Sequence, residues 1–179
     1  MMQIISFILC ALSFLSMTVA SLLKGKDVKK ILFLVFLGNF LVAVSYLITG
    51  AVNGAAACLV GAAMSIINFF FTSKGKKIPA WLSAIYIVVI TAVNIAVADG
   101  ISLPVILVII AGFVFVMSVG VENGKKYRFW TAINLALWTI YDILLVTWGP
   151  FAQHALQLIT TIVGIVAFDI KKQAVEERK

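Results

Sequence analysis

Seven long apolar runs, separated by short polar or glycine-containing breaks, make up most of this 179-residue chain. They cover residues 3–23, 31–49, 54–73, 80–98, 101–119, 129–147 and 150–169. At about 1.5 Å per residue, each run is long enough as a helix to cross a hydrocarbon core roughly 30 Å thick. The first run resembles a signal peptide, but no basic residue precedes it. The pattern therefore predicts seven transmembrane helices, including the first run.

The composition leaves no room for a sizeable aqueous domain. Hydrophobic residues make up 63% of the chain and charged residues 12%, whereas soluble domains average about 45–50% and 25%. The predicted fold class is therefore an all-α polytopic membrane protein. The chain shows no nucleophile–base pair, metal-binding cluster or phosphate loop, so we expect no enzymatic activity, no metal and no cofactor. Cys10 and Cys58 lie inside apolar runs and are expected to be buried thiols.

The basic residues all fall on one side of the seven-span arrangement. They are Lys24, Lys26, Lys29, Lys30, Lys74, Lys76, Lys77, Lys125, Lys126, Arg128, Lys171, Lys172, Arg178 and Lys179. The other side carries no basic residue and one acid, Asp99. The net charge of +7 thus follows the positive-inside rule and does not indicate nucleic-acid binding. We expect a multi-pass protein in contact with the lipid bilayer, with its N-terminus outside and its C-terminus in the cytoplasm.

The chain also matches itself, without gaps, when residues 24–77 are placed on residues 119–172. Ten of the 54 pairs are identical, and they include Gly25/Gly120, Lys30/Lys125, Asn39/Asn134, Tyr46/Tyr141, Gly54/Gly149 and Ile67/Ile162. Spans 1–3 map onto spans 5–7 and the fourth span is unmatched, so both halves cross the membrane in the same direction. The predicted organisation is a three-helix bundle (1–77), a linker helix (78–99), a second bundle (100–172) and a cytoplasmic tail (173–179).

This three-one-three arrangement resembles the SWEET and PQ-loop superfamily. Its length, span placement and matched pairs most resemble the YgjV family of bacterial inner-membrane proteins. Span 6, with Trp130, Asn134, Trp138 and Tyr141, is partly similar to the aromatic and asparagine-bearing span of PnuC-type vitamin-precursor transporters. The resemblance implies two parallel helix bundles joined by a linker helix, and location in a bacterial inner membrane.

Polar residues inside apolar runs are the candidate functional residues, because a polar group in hydrocarbon must find a partner. The candidates for substrate binding are Asn39, Ser65, Asn68, Asn134, Trp138, Tyr141 and Gln157. Helical spacing puts Asn134, Trp138 and Tyr141 along one side of span 6. Transporter sites lie near the midplane between repeats, but hydrogen bonding between helices and plain packing explain the same residues.

Asp142 and His154 form a second candidate site. They lie six residues before and after Trp148, so two antiparallel spans would place them at similar depth. A carboxylate beside an imidazole favours its protonated form, so the pair is a candidate for proton coupling. A neutral structural pair, or an Asp142 that faces outside water, is the alternative.

These features favour a small-molecule transporter or facilitator. Two similar halves and a polar midplane suit a rocking mechanism, and the lack of a basic residue in the expected cavity favours a polar solute without net charge. The alternative is a receptor, sensor or assembly partner on the same scaffold. Either function is compatible with a homo-oligomer.

Overall fold

The computed structural model describes residues 2–23, 28–121 and 124–170, which form seven α-helices and no strand. The helices are α1 (Met2–Leu22), α2 (Val28–Thr49), α3 (Val52–Ser73), α4 (Ala80–Ala96), α5 (Leu103–Val119), α6 (Gly124–Leu145) and α7 (Trp148–Gly164). A π-helical turn, Ile165–Ile170, continues α7. The prediction of an all-α fold is confirmed. The predictions for residues 24–27 and 171–179, including the tail, lie outside the described residues.

The lengths and compositions of the helices are those of a polytopic membrane protein. By length and composition, α1, α2, α3 and Trp148–Ala167 can cross a membrane, and α4 and α5 are apolar but have 17 residues each. Helix α6 is not among the helices that meet these criteria, so four of the seven predicted spans are supported. Seventeen residues are at the lower limit for a span. The outer faces expose large apolar side chains such as Ile4 (65%) and Val88 (66%), which water would disfavour and lipid tolerates.

The helices form a ring. In the first half α2 packs along α1 and α3, and in the second half α6 packs along α5 and α7. Contacts of α1 with α7, and of α3 with α5, join the two arcs. Helix α4 packs against α3 and α5, where it bridges the same junction. The centre of this ring is therefore surrounded by helices from both halves.

Small polar residues allow α1 to lie close to α2. The hydroxyl of Ser13 donates a 2.9 Å hydrogen bond to the Gly38 carbonyl, and the hydroxyls of Ser6 and Ser45 lie 2.7 Å apart. Ser6 and Ser13 are seven residues apart and so share one face of the helix. Small residues and buried hydroxyls are the usual means of helix association in lipid, where the hydrophobic effect contributes little.

The turn after α2 has the same backbone hydrogen bonds as the turn after α6. The Ala51 amide donates to the Tyr46 carbonyl at 3.0 Å, and the Thr147 amide donates to the Asp142 carbonyl at 3.0 Å. Tyr46 and Asp142 are 96 residues apart, and the first residues of α2 and α6, and of α3 and α7, differ by the same number. The halves therefore repeat here at 96 residues, one more than in the ungapped sequence match.

Candidate functional site

A small polar cavity of about 40 Å³ lies inside the ring. Its polar wall is formed by Asn39, Ser118, Thr131, Asn134, Gln153, His154 and Gln157, and its aromatic wall by Phe115, Tyr127 and Trp138. Met17 of α1 and Cys58 of α3 also line it, so both halves contribute. The volume holds one or a few water molecules and is well below the roughly 300–1,000 Å³ of solute pockets. In this conformation the cavity is too small for most solutes.

The two matched asparagines both line this cavity, and each donates its side-chain amide to a backbone carbonyl. The side-chain amide nitrogen of Asn39 donates to the Val35 carbonyl of its own helix at 2.9 Å. That of Asn134 donates to the Ala111 carbonyl of α5 at 2.6 Å. Because a backbone carbonyl can only accept, these contacts fix which amide atom is nitrogen. The side-chain carbonyl oxygen of each asparagine therefore remains for other partners.

Asp142, which is fully buried, has three hydrogen-bond partners. Its Oδ1 accepts from the Tyr46 hydroxyl at 2.5 Å and from the Thr147 hydroxyl at 2.8 Å. Its Oδ2 lies 2.7 Å from Nδ1 of His154. Burying a carboxylate in a membrane protein is costly, and several donors are what makes it tolerable. We call these four residues the Asp142 cluster; it joins α2 to α6 and α7.

Aromatic rings pack around the Asp142 cluster. The Trp138 ring stacks on His154 with centroids 5.6 Å apart and an interplanar angle of 28°. It also contacts Tyr46 and, edge to face, Tyr141, at centroid distances of 5.8 and 5.3 Å. The Trp138 ring, a candidate for stacking on a substrate, thus packs against protein side chains in this conformation. This packing fixes the orientation of the His154 ring.

Two glutamines form the remaining amide wall of the cavity on α7. The side-chain nitrogen of Gln153 donates to the side-chain oxygen of Gln157 at 3.1 Å. Both residues are buried, and the Gln153 side-chain oxygen has no hydrogen-bond partner among the described residues. A buried amide oxygen without a partner is unfavourable by about 1–3 kcal/mol. It is therefore an atom that a water molecule or a ligand in the cavity would satisfy.

Three of the candidates for substrate binding lie away from the cavity wall. The Ser65 hydroxyl donates to the Gly61 carbonyl of its own helix at 2.8 Å. Asn68 accepts a 3.0 Å hydrogen bond from Tyr86 of α4. Tyr141 packs behind Trp138 and Tyr46, with its hydroxyl next to Gly54. By contrast Asn39, Asn134, Trp138, His154 and Gln157 are brought together at the cavity.

A second buried charged pair lies near the other end of α6. The Arg128 guanidinium makes a two-pronged contact with the Asp169 carboxylate, in which Nε donates to Oδ2 at 2.9 Å and Nη2 donates to Oδ1. Arg128 and Asp169 are each 7% exposed. The pair ties the first turns of α6 to the π-helical turn, close to Tyr127 at the cavity. Sequence analysis placed Arg128 among the topology-determining charges and gave Asp169 no role.

Two members of the Asp142 cluster, Tyr46 and Thr147, were not predicted as site residues from the sequence. Tyr46 was noted as a repeat match without a site role, although its pairing with a tyrosine in an apolar span was a signal. Thr147 precedes the turn into α7 and gave no signal of its own. Gln153, four residues before the candidate Gln157, also lies on the cavity wall.

No protein-family model, curated protein or solved structure matches the chain. The resemblance to the YgjV family and to SWEET and PnuC-type proteins therefore stays a prediction. Function has to be inferred from the site itself.

Proposed function

We propose that this protein moves a small polar solute without net charge across the membrane, through the cavity between its two halves. The observation that carries the proposal is a small cavity, lined by amide and aromatic side chains from helices of both halves, inside a molecule whose outer surface is apolar. Transporters place their sites near the midplane between structural repeats and open them alternately to either side. A cavity of about 40 Å³ is then the occluded form of a larger site.

The wall chemistry supports a polar, uncharged solute. Amide groups from both halves, Asn39 on α2 and Asn134 on α6, line the cavity, and Gln157 adds a third. Among the described residues that line it there is no lysine or arginine, so an anion would have no counter-charge there. Neutral hydrogen-bonding groups are the recognition elements present.

If the two halves move apart near the turns that follow α2 and α6, the hydrogen bonds of the Asp142 cluster have to change. Tyr46 belongs to the first half and Asp142 to the second, and their hydrogen bond crosses between the arcs. If the arcs separate here, this bond breaks and the buried carboxylate gains water in exchange. In this proposal the cluster therefore stabilises the conformation in which the two halves are in contact.

We further propose that the chain lies in a bacterial cytoplasmic membrane, with its N-terminus outside and its C-terminus in the cytoplasm. The segregation of lysine and arginine supports this orientation. Fusions of a fluorescent protein, which matures in the cytoplasm, and of alkaline phosphatase, which requires an oxidising compartment, test it. A C-terminal fusion should fluoresce and lack phosphatase activity; the reverse pattern would show the opposite orientation.

The test of transport is solute permeation into vesicles reconstituted with the purified protein, followed by light scattering after an osmotic shock. The probes are neutral polar solutes graded in size, from urea through polyols to disaccharides. We expect at least one probe to enter faster than in empty vesicles. Asn39→Leu and Asn134→Leu should slow its entry by about tenfold or more, since each removes a polar wall group. Ser65→Ala, away from the cavity wall, is the matched control.

Permeation equal to that of empty vesicles for every probe would contradict transport. Binding of a probe without permeation would favour the alternative function, a receptor or sensor on this scaffold. The internal cavity is compatible with this alternative as well, because a ligand-sensing protein also encloses its ligand.

A further inference from the structure

His154 contacts both the Asp142 cluster and the cavity. Its Nδ1 lies 2.7 Å from Asp142, and its ring lines the cavity wall. A carboxylate with two other donors on it accepts from the imidazole, so the ring carries its proton at Nδ1. In the neutral ring the opposite nitrogen, Nε2, then bears a lone pair and accepts hydrogen bonds. Within the described ranges, no protein group is hydrogen-bonded to Nε2.

Three further polar atoms of the wall are acceptors, beside donors such as the Gln157 amide nitrogen and the Trp138 indole N–H. Asn39 and Asn134 have their amide nitrogens on backbone carbonyls, which leaves a side-chain oxygen on each. The buried side-chain oxygen of Gln153 has no partner in the described part of the chain. Together with Nε2 of His154 these atoms make four acceptors around one small cavity. A ligand that satisfies them has to bring the hydrogens.

We propose that the cavity selects solutes through their N–H or O–H donors, and that a proton on Nε2 of His154 excludes such a solute. The inference rests on the proposed function in taking the ligand to be the transported solute. Binding of the ligand can be measured without transport. Protonation turns Nε2 from an acceptor into a donor, so a donor group and the added proton compete for the same lone pair. Proton and solute are then bound alternately at one site.

His154 has several titratable neighbours on the surrounding helices. The titratable groups that face it or the Asp142 cluster from the surrounding helices are Asp142, Tyr127 and Tyr141 on α6, Tyr46 on α2, Cys58 on α3 and, through Ser45, Cys10 on α1. Tyrosine and cysteine ordinarily stay neutral below about pH 8. Histidine ordinarily changes charge between about pH 5 and pH 8.

The experiment uses the fact that the chain contains one histidine. Full-length protein labelled with ¹⁵N-histidine, and purified without a histidine tag, gives NMR signals from His154 alone. In the neutral form we expect the proton on Nδ1 and a bare Nε2, the reverse of the tautomer that predominates in water. A neutral ring with its proton on Nε2 would overturn the inference.

Acetamide and acetone are the ligand probes, because they have the same shape and four heavy atoms each, but only acetamide donates hydrogen bonds. At pH 8 acetamide should shift the Nε2 signal saturably, and acetone should not. Below the pH at which His154 takes up its second proton, the acetamide affinity should fall about tenfold per pH unit, as mutual exclusion requires. Equal effects of the two probes, or an affinity independent of pH, would overturn the proposal.

Variants separate this inference from the proposed function. Asn134→Leu should weaken acetamide binding, and Ser65→Ala should leave it unchanged. Binding that follows these rules in a protein that moves no solute would contradict transport alone. Transport of a solute that has no donor group would contradict the inference and leave transport standing.

Discussion

Tyr46 of α2 and Asp142 of α6, which are 96 residues apart, share a hydrogen bond of 2.5 Å between hydroxyl and carboxylate. Both side chains are fully buried. Each residue also supplies the carbonyl that caps its own turn, Tyr46 to Ala51 and Asp142 to Thr147. Equivalent positions of the two halves therefore contact each other, and one supplies the donor hydroxyl while the other supplies the accepting carboxyl oxygen.

Tyr46→Phe should destabilise the protein by about 1.5–3 kcal/mol, the range for a hydrogen bond to a charged group. The substitution keeps the ring and its packing on Trp138, so the loss reports the hydroxyl. The measurement is the free energy of unfolding in mixed detergent micelles, followed by circular dichroism.

Tyr86→Phe is the matched control, since its hydroxyl donates to the neutral side chain of Asn68. A neutral pair is worth only about 0.5–1.5 kcal/mol. If the two variants lost the same stability, Asp142 would not carry a charge in the folded protein.

Most of the helices could be predicted from hydropathy alone, because the apolar runs are interrupted by glycine, proline or lysine. The start of α6 was missed by several residues. Hydropathy placed it near Phe129, but the helix begins at Gly124 and includes Lys125 and Lys126. Long basic side chains can extend towards water from the end of a helix, so charge ends an apolar run without ending the helix.

The site was less predictable because it depends on how the helices are rotated in the ring. Ser65 and Asn68 are polar like Asn39, yet neither lines the cavity: Ser65 bonds to Gly61, and Asn68 bonds to Tyr86 of α4. Which face of α3 points inward is set by α2, α4 and α5 together, and no local pattern encodes that. The spacing of Asp142 and His154 about one turn was informative, because two adjacent antiparallel helices fix relative depth.

Backbone strain at one turn offers a second prediction. Val146 has φ of 56° in the turn after α6, where the equivalent residue after α2 is Gly50 with φ of 78°. This region is unfavourable for a β-branched residue. Val146 is 60% exposed, so Val146→Gly loses little packing, and stability should be unchanged or rise by up to about 1 kcal/mol.

Gly50→Val is the reciprocal variant. No atom lies within 4 Å of a Cβ built there, so any loss comes from the backbone and should be about 1–2 kcal/mol. Thermal unfolding in one detergent compares the two variants. A Val146→Gly variant less stable than the native protein would show that Val146 contributes packing that outweighs its strain.

The pair of Arg128 and Asp169 gives a third prediction. Asp169→Leu removes the carboxylate that both Nε and Nη2 of the buried Arg128 contact, so it should destabilise by about 3–5 kcal/mol. The double variant Arg128→Met, Asp169→Leu should recover most of this loss, because no buried charge remains. Lys126→Met, an exposed position two residues away, should change the free energy of unfolding by less than about 0.5 kcal/mol. A double variant as unstable as Asp169→Leu would contradict the pairing.

Asp142→Asn should move the proton on the His154 ring. Oδ1 accepts from both Tyr46 and Thr147, so the orientation that keeps both hydroxyls donating puts the amide oxygen there and the amide nitrogen in the place of Oδ2. This nitrogen donates to Nδ1 of His154, which then has to accept, and the ring proton goes to Nε2. The cavity thus loses Nε2 as an acceptor with no change in pH. Acetamide should therefore bind more weakly to the variant than to the native protein at pH 8. The single-histidine ¹⁵N signal reports the tautomer directly, and a proton that stays on Nδ1 would contradict this orientation of the amide in the variant.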